Sequence, residues 1–408
     1  MSDRRVVIVG GGQAGGRVAL SLREGGFQGD ITLVAAEPHL PHERPPLSKD
    51  LLTGLSQPEG AYLADAAALA GLNITVITAI SATAIDPEAR LVSLGDGRRL
   101  AYDDLVLATG SRPRQLTMNN DAGNGGAGSV PVLRSMDDAL ALRDRLRPGA
   151  TLAVVGGGVI GLELASSALA RGVRPVIIEA ADRVMARQIG PAASQFLQGL
   201  HRDAGSTLHL GRALRGLQQG GDGFLVTLDD GTEMRADCAV AAIGVIPDTA
   251  LAEAAGLACD DGILIDAHGQ TSRPGIWAAG DVARGPVPWS DCPERQESWR
   301  NAENQARRVA ASILGHEDVA EDPVPGFWSD QLGHRLQAEG SCDGDEIVRP
   351  SDNGGFAAFH VQDRRLVGCV VLDNPKLAAF ARRAIGRGAE VDPAALADPA
   401  GDPRRILR

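Results

Sequence analysis

Short runs of uninterrupted aliphatic residues recur along this chain, and most end on glycine or a polar turn. The first is VVIV at residues 6–9. Four apolar residues in succession, rich in β-branched side chains, predict a strand buried on both faces. The small residues that follow, up to Leu20, suit a helix lying close on a sheet. ITLV at 31–34 predicts the next strand. Extended stretches at 74–79, 82–85 and 91–94 read as a small antiparallel layer. LVLATGSRPR at 105–114 predicts another buried strand ending in a glycine turn. A helix is expected near 137–146, and then the opening pattern returns. LAVV at 152–155 runs into glycines, a helix, and VIIE ending at Glu179. Strands at 240–243 and 276–278 and a long amphipathic helix over 297–314 follow. Beyond Pro323 and Pro325, strands at 356–361 and 366–372 and a helix at 375–385 form a mixed tail. The expected class is therefore α/β, with a duplicated Rossmann-like unit and a smaller mixed α/β domain.

The glycines that interrupt the pattern carry its chemistry. Gly10-x-Gly12-x-x-Gly15 follows the first strand directly. In such a loop the first glycine makes the tight turn and the second lets backbone approach a pyrophosphate. The third lets the helix lie on the strand. Glu37 lies about twenty residues past Gly15, where a carboxylate takes the hydroxyls of an adenosine ribose. Gly156-x-Gly158-x-x-Gly161 repeats the loop, with Glu179 as its acid. Two such units imply two dinucleotides. HERPPLSK at 42–49 is a loop stiffened by two prolines, which delivers Arg44, Ser48 and Lys49 to fixed places. Asp281, after Ala279-Gly280, reads as a helix N-cap and a ligand contact at once.

Composition narrows the class further. The 408 residues are 44% hydrophobic but only 3% aromatic, so the core must be aliphatic. A net charge of −12 argues against nucleic acid or an anionic membrane as partner. No run of 18 apolar residues is present, and MSDRR leads straight into the first strand. A cytoplasmic protein without membrane attachment is expected. The five cysteines are scattered with no CxxC pair, which argues against zinc, disulfides and a redox-active dithiol. The eight histidines show no metal-ligand spacing, so no metal is expected.

TSRPGIWAAGD at 271–281 resembles the closing motif of the two-dinucleotide flavoprotein disulfide reductases. HERPPLSK, GVIGLELA, ERQESWRNAENQARRVAA and FWSDQ narrow the likeness. They resemble the NADH-dependent ferredoxin reductases of the putidaredoxin reductase and biphenyl dioxygenase reductase kind. These feed aromatic-ring dioxygenases and haem monooxygenases. The resemblance implies an FAD domain split in sequence (1–114 and 246–320), an inserted NAD domain (115–245) and a C-terminal domain over the flavin (321–408). It implies non-covalent FAD on Gly10, Gly12, Ala14, Gly15, Glu37, Arg44, Lys49, Ile80, Arg134, Asp281 and Trp299. NADH falls to Gly156, Gly158, Val159, Ile160, Gly161, Glu179, Arg187 and Gly244, with Glu163 in the same domain. Lys49 and Glu163 are implied as a catalytic pair beside the flavin. On sequence alone they are equally a surface lysine and a first-turn glutamate favoured by the helix dipole.

The implied partner is a two-iron ferredoxin, with Arg307, Arg308, Arg382, Arg383 and Trp328 as docking candidates. Three departures stand out: Ala35-Ala36 where the family has Gly-Asp, Gly326-Phe327-Trp328 where it has Trp-aromatic-Trp, and a glycine-rich loop at 119–128. A rubredoxin reductase or NADH oxidase is the nearest alternative, although no nucleophilic cysteine stands near position 45. An interaction protein like apoptosis-inducing factor is another, although the targeting segments and basic patches of that family are missing here.

Overall fold

The computed structural model describes residues 4–117, 129–220, 223–316, 324–349 and 355–407. The glycine-rich loop at 119–128 lies outside them. The chain divides into two compact units. One comprises Met1–Pro46, Gln57–Arg112 and Val245–Pro323; the other comprises Leu47–Ser56, Pro113–Gly244 and Val324–Arg408.

The first unit is built on five parallel strands. Their order is Ile276–Ala278, Asp104–Leu107, Arg5–Val9, Asp30–Val34 and Ile74–Ile77. The helices Gln13–Glu24 and Trp299–Leu314 belong to the core on one face, where Ile8, Leu33 and Val106 of the sheet meet Val18, Leu22, Val309 and Ile313. Ser298 caps the second of these helices by accepting from the Asn301 amide, and Gly315 closes it with φ 79°. The opposite face carries Val7, Val9, Leu105 and Leu107 against Ile85, Val92 and Leu94 of a three-stranded antiparallel sheet. That layer is Ala82–Asp86, Leu91–Leu94 and Arg99–Ala101. The stretch at 74–79 does not belong to it, contrary to the pattern reading. Ile74–Ile77 pairs in parallel with Asp30–Val34. The short helix Ala66–Gly71 supplies the crossover that a parallel neighbour requires.

The second unit repeats the parallel plan with four strands, in the order Thr207–Leu210, Arg174–Glu179, Thr151–Val155 and Cys238–Ala241. Two further sheets follow, the first without a counterpart in the sequence reading. One is a three-stranded antiparallel sheet of Leu214–Gly220, Gly223–Leu228 and Glu233–Ala236. The other expands the expected tail strands to five: Gly326–Gln331, His334–Gly340, Arg365–Leu372, Ala357–Gln362 and Asp345–Arg349. The helix Pro375–Gly386 packs on it through Leu377, Ala378, Ala381 and Ala384. Among the described residues no helix is long and apolar enough to cross a membrane, and no cluster of His, Cys, Asp or Glu could hold a metal ion.

Candidate functional site

In the first unit the strand Arg5–Val9 delivers the chain into Gly10, whose φ of 126° and crowded surroundings both demand glycine. A Cβ there would stand 2.0 Å from the Ala108 carbonyl oxygen, and one on Gly15 would stand 2.0 Å from that of Gly10. Gly12 is different. It caps the helix Gln13–Glu24 with no side-chain bond, and among the described residues nothing lies within 4 Å of where its Cβ would point. The helix therefore opens with amides unclaimed by a cap, facing room for a ligand, which is the environment a pyrophosphate needs. Gly280 presses close, with its hypothetical Cβ 2.9 Å from that of Ala14. Asp281 thus sits beside the loop and accepts from Ser111 Oγ at 3.1 Å. Arg44 reaches Glu37 at 3.1 Å, and the Ile80 amide donates to the Ala35 carbonyl at 3.2 Å. Trp299 Nε1 donates to Glu43 at 3.1 Å, tying the long helix to the proline loop. This unit gathers Gly10, Gly12, Ala14, Gly15, Glu37, Arg44, Ile80, Asp281 and Trp299 from four distant parts of the sequence.

The second unit reproduces the loop in detail. A Cβ on Gly156 would stand 2.3 Å from the Ala242 carbonyl oxygen, and one on Gly161 would stand 2.0 Å from that of Gly156. Gly158 caps the helix Val159–Ala170 with nothing within 4 Å of its missing Cβ. Here the acid is tied to the loop itself. Glu179 accepts from the Gly157 amide at 2.6 Å and from the Ala181 amide at 2.8 Å. Arg187 lies near Gly244, its Nη2 3.6 Å from where a Cβ would be. Val159 is half-buried, and Ile160 is exposed at the mouth of the helix. Arg134 sits just before the helix Met136–Arg145, its amide bonded to Asp138.

Lys49 and Glu163 come together in the same unit. The Lys49 ammonium lies 3.3 Å from Glu163 Oε1 and 3.2 Å from Asp330 Oδ2, and 5.8 Å from the centre of the Trp328 ring. Glu163 is buried and also accepts from Ser48 Oγ at 2.5 Å and Ser329 Oγ at 2.6 Å. Burial pushes its carboxyl above the usual range, and Lys49 and the two serines pull in the opposite direction. Burial also works against ionisation of Asp330. Hydrogen bonds from Arg335 and Lys49 outweigh that and hold its carboxyl below the usual range. Ser329, Asp330 and Gln331 belong to the FWSDQ motif, but nothing in the sequence assigns them a partner.

The arginines divide. Arg183 donates to the Ile189 and Ala186 carbonyls and to Ser194, so its guanidinium is committed to its own turn. Arg307 is exposed but pairs at 3.0 Å with Glu303, which also accepts from Gln13 and Arg17. Arg308 and Arg382 are half-buried, and Arg383 is exposed with its guanidinium 4.9 Å from the Phe380 ring centre.

The chain matches the family described as pyridine nucleotide-disulphide oxidoreductase over residues 4–306, and a reductase C-terminal family over 326–407. It is 39% identical over 407 residues to the ferredoxin–NAD(+) reductase component of the p-cumate 2,3-dioxygenase system of Pseudomonas putida, covering 97% of this chain and 96% of that one. It is also 39% identical over 412 residues to putidaredoxin reductase of Pseudomonas putida, covering 100% and 97%. The reductase in the crystal structure of the covalent putidaredoxin reductase–putidaredoxin complex superimposes with a TM-score of 0.92 at 38% identity, covering 100% and 99%. With two acid-tipped glycine loops and full-length likeness of this kind, the chain belongs to the pyridine nucleotide-disulphide oxidoreductase family.

Proposed function

We propose that this oxidoreductase is the first component of an oxygenase system, taking electrons from NADH and passing them singly to a two-iron ferredoxin. FAD and NADH are its cofactors. Bound FAD supplies the chemistry, accepting a hydride and returning electrons one at a time. What the chain supplies is binding, orientation and charge. In this reading residues 1–114 with 246–320 hold the flavin, 115–245 hold NADH, and 321–408 form the C-terminal domain. Gly12 and the uncapped amides of its helix receive one pyrophosphate, and Gly158 receives the other. Glu37 and Glu179 take the two adenosine riboses. Arg44, Ile80, Arg134, Asp281 and Trp299 complete the flavin site, and Val159, Ile160, Arg187 and Gly244 complete the NADH site. Lys49 presents a positive charge where negative charge builds on reduction, and Glu163 keeps that ammonium from standing alone. Arg307, Arg308, Arg382, Arg383 and Trp328 offer positive charge and an aromatic surface to an acidic ferredoxin. The enzyme works in the cytoplasm, where NADH is renewed.

One observation carries the reading. Both loops leave open space at the glycine where a phosphate must approach, and crowd the two glycines where it does not. The test is anaerobic stopped-flow reduction of the FAD-loaded protein by NADH. Rapid bleaching supports the reductase. Failure to take up FAD sinks the flavoprotein reading, whereas slow bleaching with a lasting charge-transfer band points instead to a sensor.

A further inference from the structure

Behind Glu163 runs a line of buried polar groups whose order has a direction. Ser329 Oγ lies 2.6 Å from Glu163 Oε1, and a carboxylate only accepts, so the serine hydroxyl donates. Its oxygen then accepts from Gln331 Nε2 at 2.8 Å. That leaves the Gln331 amide oxygen facing His201 Nε2 at 3.0 Å, so this nitrogen must carry the proton. His201 Nδ1 then accepts from Ser206 Oγ at 3.4 Å. Glu163, Ser329, Gln331 and His201 are each at most 3% exposed, and Ser206 is 6% exposed. Every donor in the line points toward the carboxylate. Had Glu163 been protonated, its hydroxyl could donate to Ser329 and the whole order could reverse.

Three elements meet along this line. Glu163 lies on the helix Val159–Ala170, Ser329 and Gln331 are two apart on the strand Gly326–Gln331 and so share a face, and His201 is in the last turn of Pro191–Asp203. The groups facing Glu163 are Ser48 and Lys49 from one segment and Ser329 from another. Those bonded to His201 are Gln331 and Ser206. Burial holds His201 below the usual imidazole range, which keeps it neutral and able to serve as a single-direction donor.

We propose that Ser329, Gln331 and His201 form a one-way hydrogen-bond chain that keeps Glu163 ionised and thereby positions the Lys49 ammonium. They are positioning residues, since they act only through Glu163, and the inference rests on the role proposed above for the Lys49–Glu163 pair. Dipoles aligned in series strengthen one another in a dry interior, so the chain stabilises the carboxylate beyond the single Ser329 contact.

Nitrogen NMR of the FAD-loaded, histidine-labelled protein reads the direction, with His201→Gln assigning the signal. The expected form is neutral with the proton on Nε2. A proton on Nδ1 alone would overturn the chain, because Gln331 would then have to turn its amide over and draw the Ser329 hydroxyl away from Glu163. Single-turnover flavin reduction against pH gives the second test. In Ser329→Ala, proton binding at Glu163 should strengthen roughly tenfold or more, from loss of a charge-assisted bond. The rate should then fall about tenfold as pH is lowered, with the fall shifted at least one pH unit upward from wild type, at unchanged NADH affinity, and Ser329→Thr should restore the wild-type profile. A wild-type pH profile in Ser329→Ala sinks the proposal. If that variant does not fold, the tautomer of the wild-type protein still decides. Wild-type protein that NADH cannot bleach refutes the reductase reading instead and leaves the tautomer test standing.

Discussion

Replacing Glu179 with alanine should relax the choice between NADH and NADPH, and the size of the effect follows from how the carboxylate is held. Both of its oxygens are committed, one to the Gly157 amide at 2.6 Å and one to the Ala181 amide at 2.8 Å. Swinging the side chain aside to admit a 2′-phosphate would break two charge-assisted bonds, each contributing about 1.5–3 kcal/mol. Leaving it in place sets a fixed negative charge against a group carrying about −1.5 to −2. At ~4 Å and an effective dielectric near 20, each unit-charge pair costs about 4 kcal/mol before screening. Glu179 is only half-buried, so salt reduces this to roughly 1.5–3 kcal/mol, a preference for NADH of about tenfold to a hundredfold. Arg183 donates to the Ile189 and Ala186 carbonyls and to Ser194, which hold its guanidinium in its own turn but leave its charge in place. The neighbouring Arg212 is likewise paired with Asp230 at 2.8 Å. In Glu179→Ala the ratio of kcat/KM for NADPH over NADH should rise at least tenfold, with Glu179→Gln between the two. Measured at two ionic strengths, the wild-type preference should shrink at the higher one. A ratio in Glu179→Ala within twofold of wild type would show that this carboxylate does not face the ribose.

Four further outcomes are expected. In the role proposed for Lys49, Lys49→Met should slow single-turnover flavin reduction by at least tenfold with little change in NADH affinity; equal rates remove it from the mechanism. Gly158→Val should fold with a near-normal melting temperature, because its missing Cβ meets nothing within 4 Å, yet lose NADH binding by calorimetry. Arg382→Glu with Arg383→Glu should lower the second-order rate of ferredoxin reduction at low salt and flatten its salt dependence, with ferricyanide reduction unchanged. Burial holds His42, His201 and His360 below the ordinary imidazole pKa of 6.5, so the unfolded chain takes up protons first as pH falls. Their contribution is complete above that pKa and lost as pH drops through it toward their folded values. The melting temperature should therefore fall between pH 7.5 and 5.5, less so in His360→Leu, whose wild-type ring nitrogens have no hydrogen-bond partner among the described residues.

The parts of this protein that were legible in its sequence are those fixed by contacts close along the chain. Gly10 and Gly156 must be glycine because a turn of positive φ brings backbone within 2.3 Å of any Cβ, and that demand leaves a fixed spacing behind it. The burial of 6–9 and 152–155 shows in unbroken aliphatic runs. Which strand pairs with which does not show, because Ile-Thr-Val-Ile reads alike in a parallel or an antiparallel sheet. Only the crossover helix at Ala66–Gly71 decides that Ile74–Ile77 lies beside Asp30–Val34. The carboxylate clamp at Glu303, with Gln13, Arg17 and Arg307, joins residues nearly three hundred apart, and nothing local announces it. Lys49 and Glu163 came to notice through family likeness rather than through any spacing. Ser329, next to a noticed tryptophan, escaped because a lone serine carries no sign of the partner it meets.

The interrupted course of the first unit bears on how the protein is made. Its sheet gains the strand Ile276–Ala278, and its core the helix Trp299–Leu314, only after the intervening residues 113–244 have been synthesised. Val18 and Leu22 leave the ribosome early and wait for Val309 and Ile313. At about 5–20 residues per second that wait is on the order of 15–60 s. During it the part of the core that the helix Trp299–Leu314 completes stands open, beside the helix Gln13–Glu24 already in place, and Asp281 and Trp299 do not yet exist. On the flavin site proposed above, loading in step with translation is excluded. Flavin supply and folding are coupled only at the end of synthesis, and overproduction should outrun both, giving apoprotein and aggregates before it gives more enzyme.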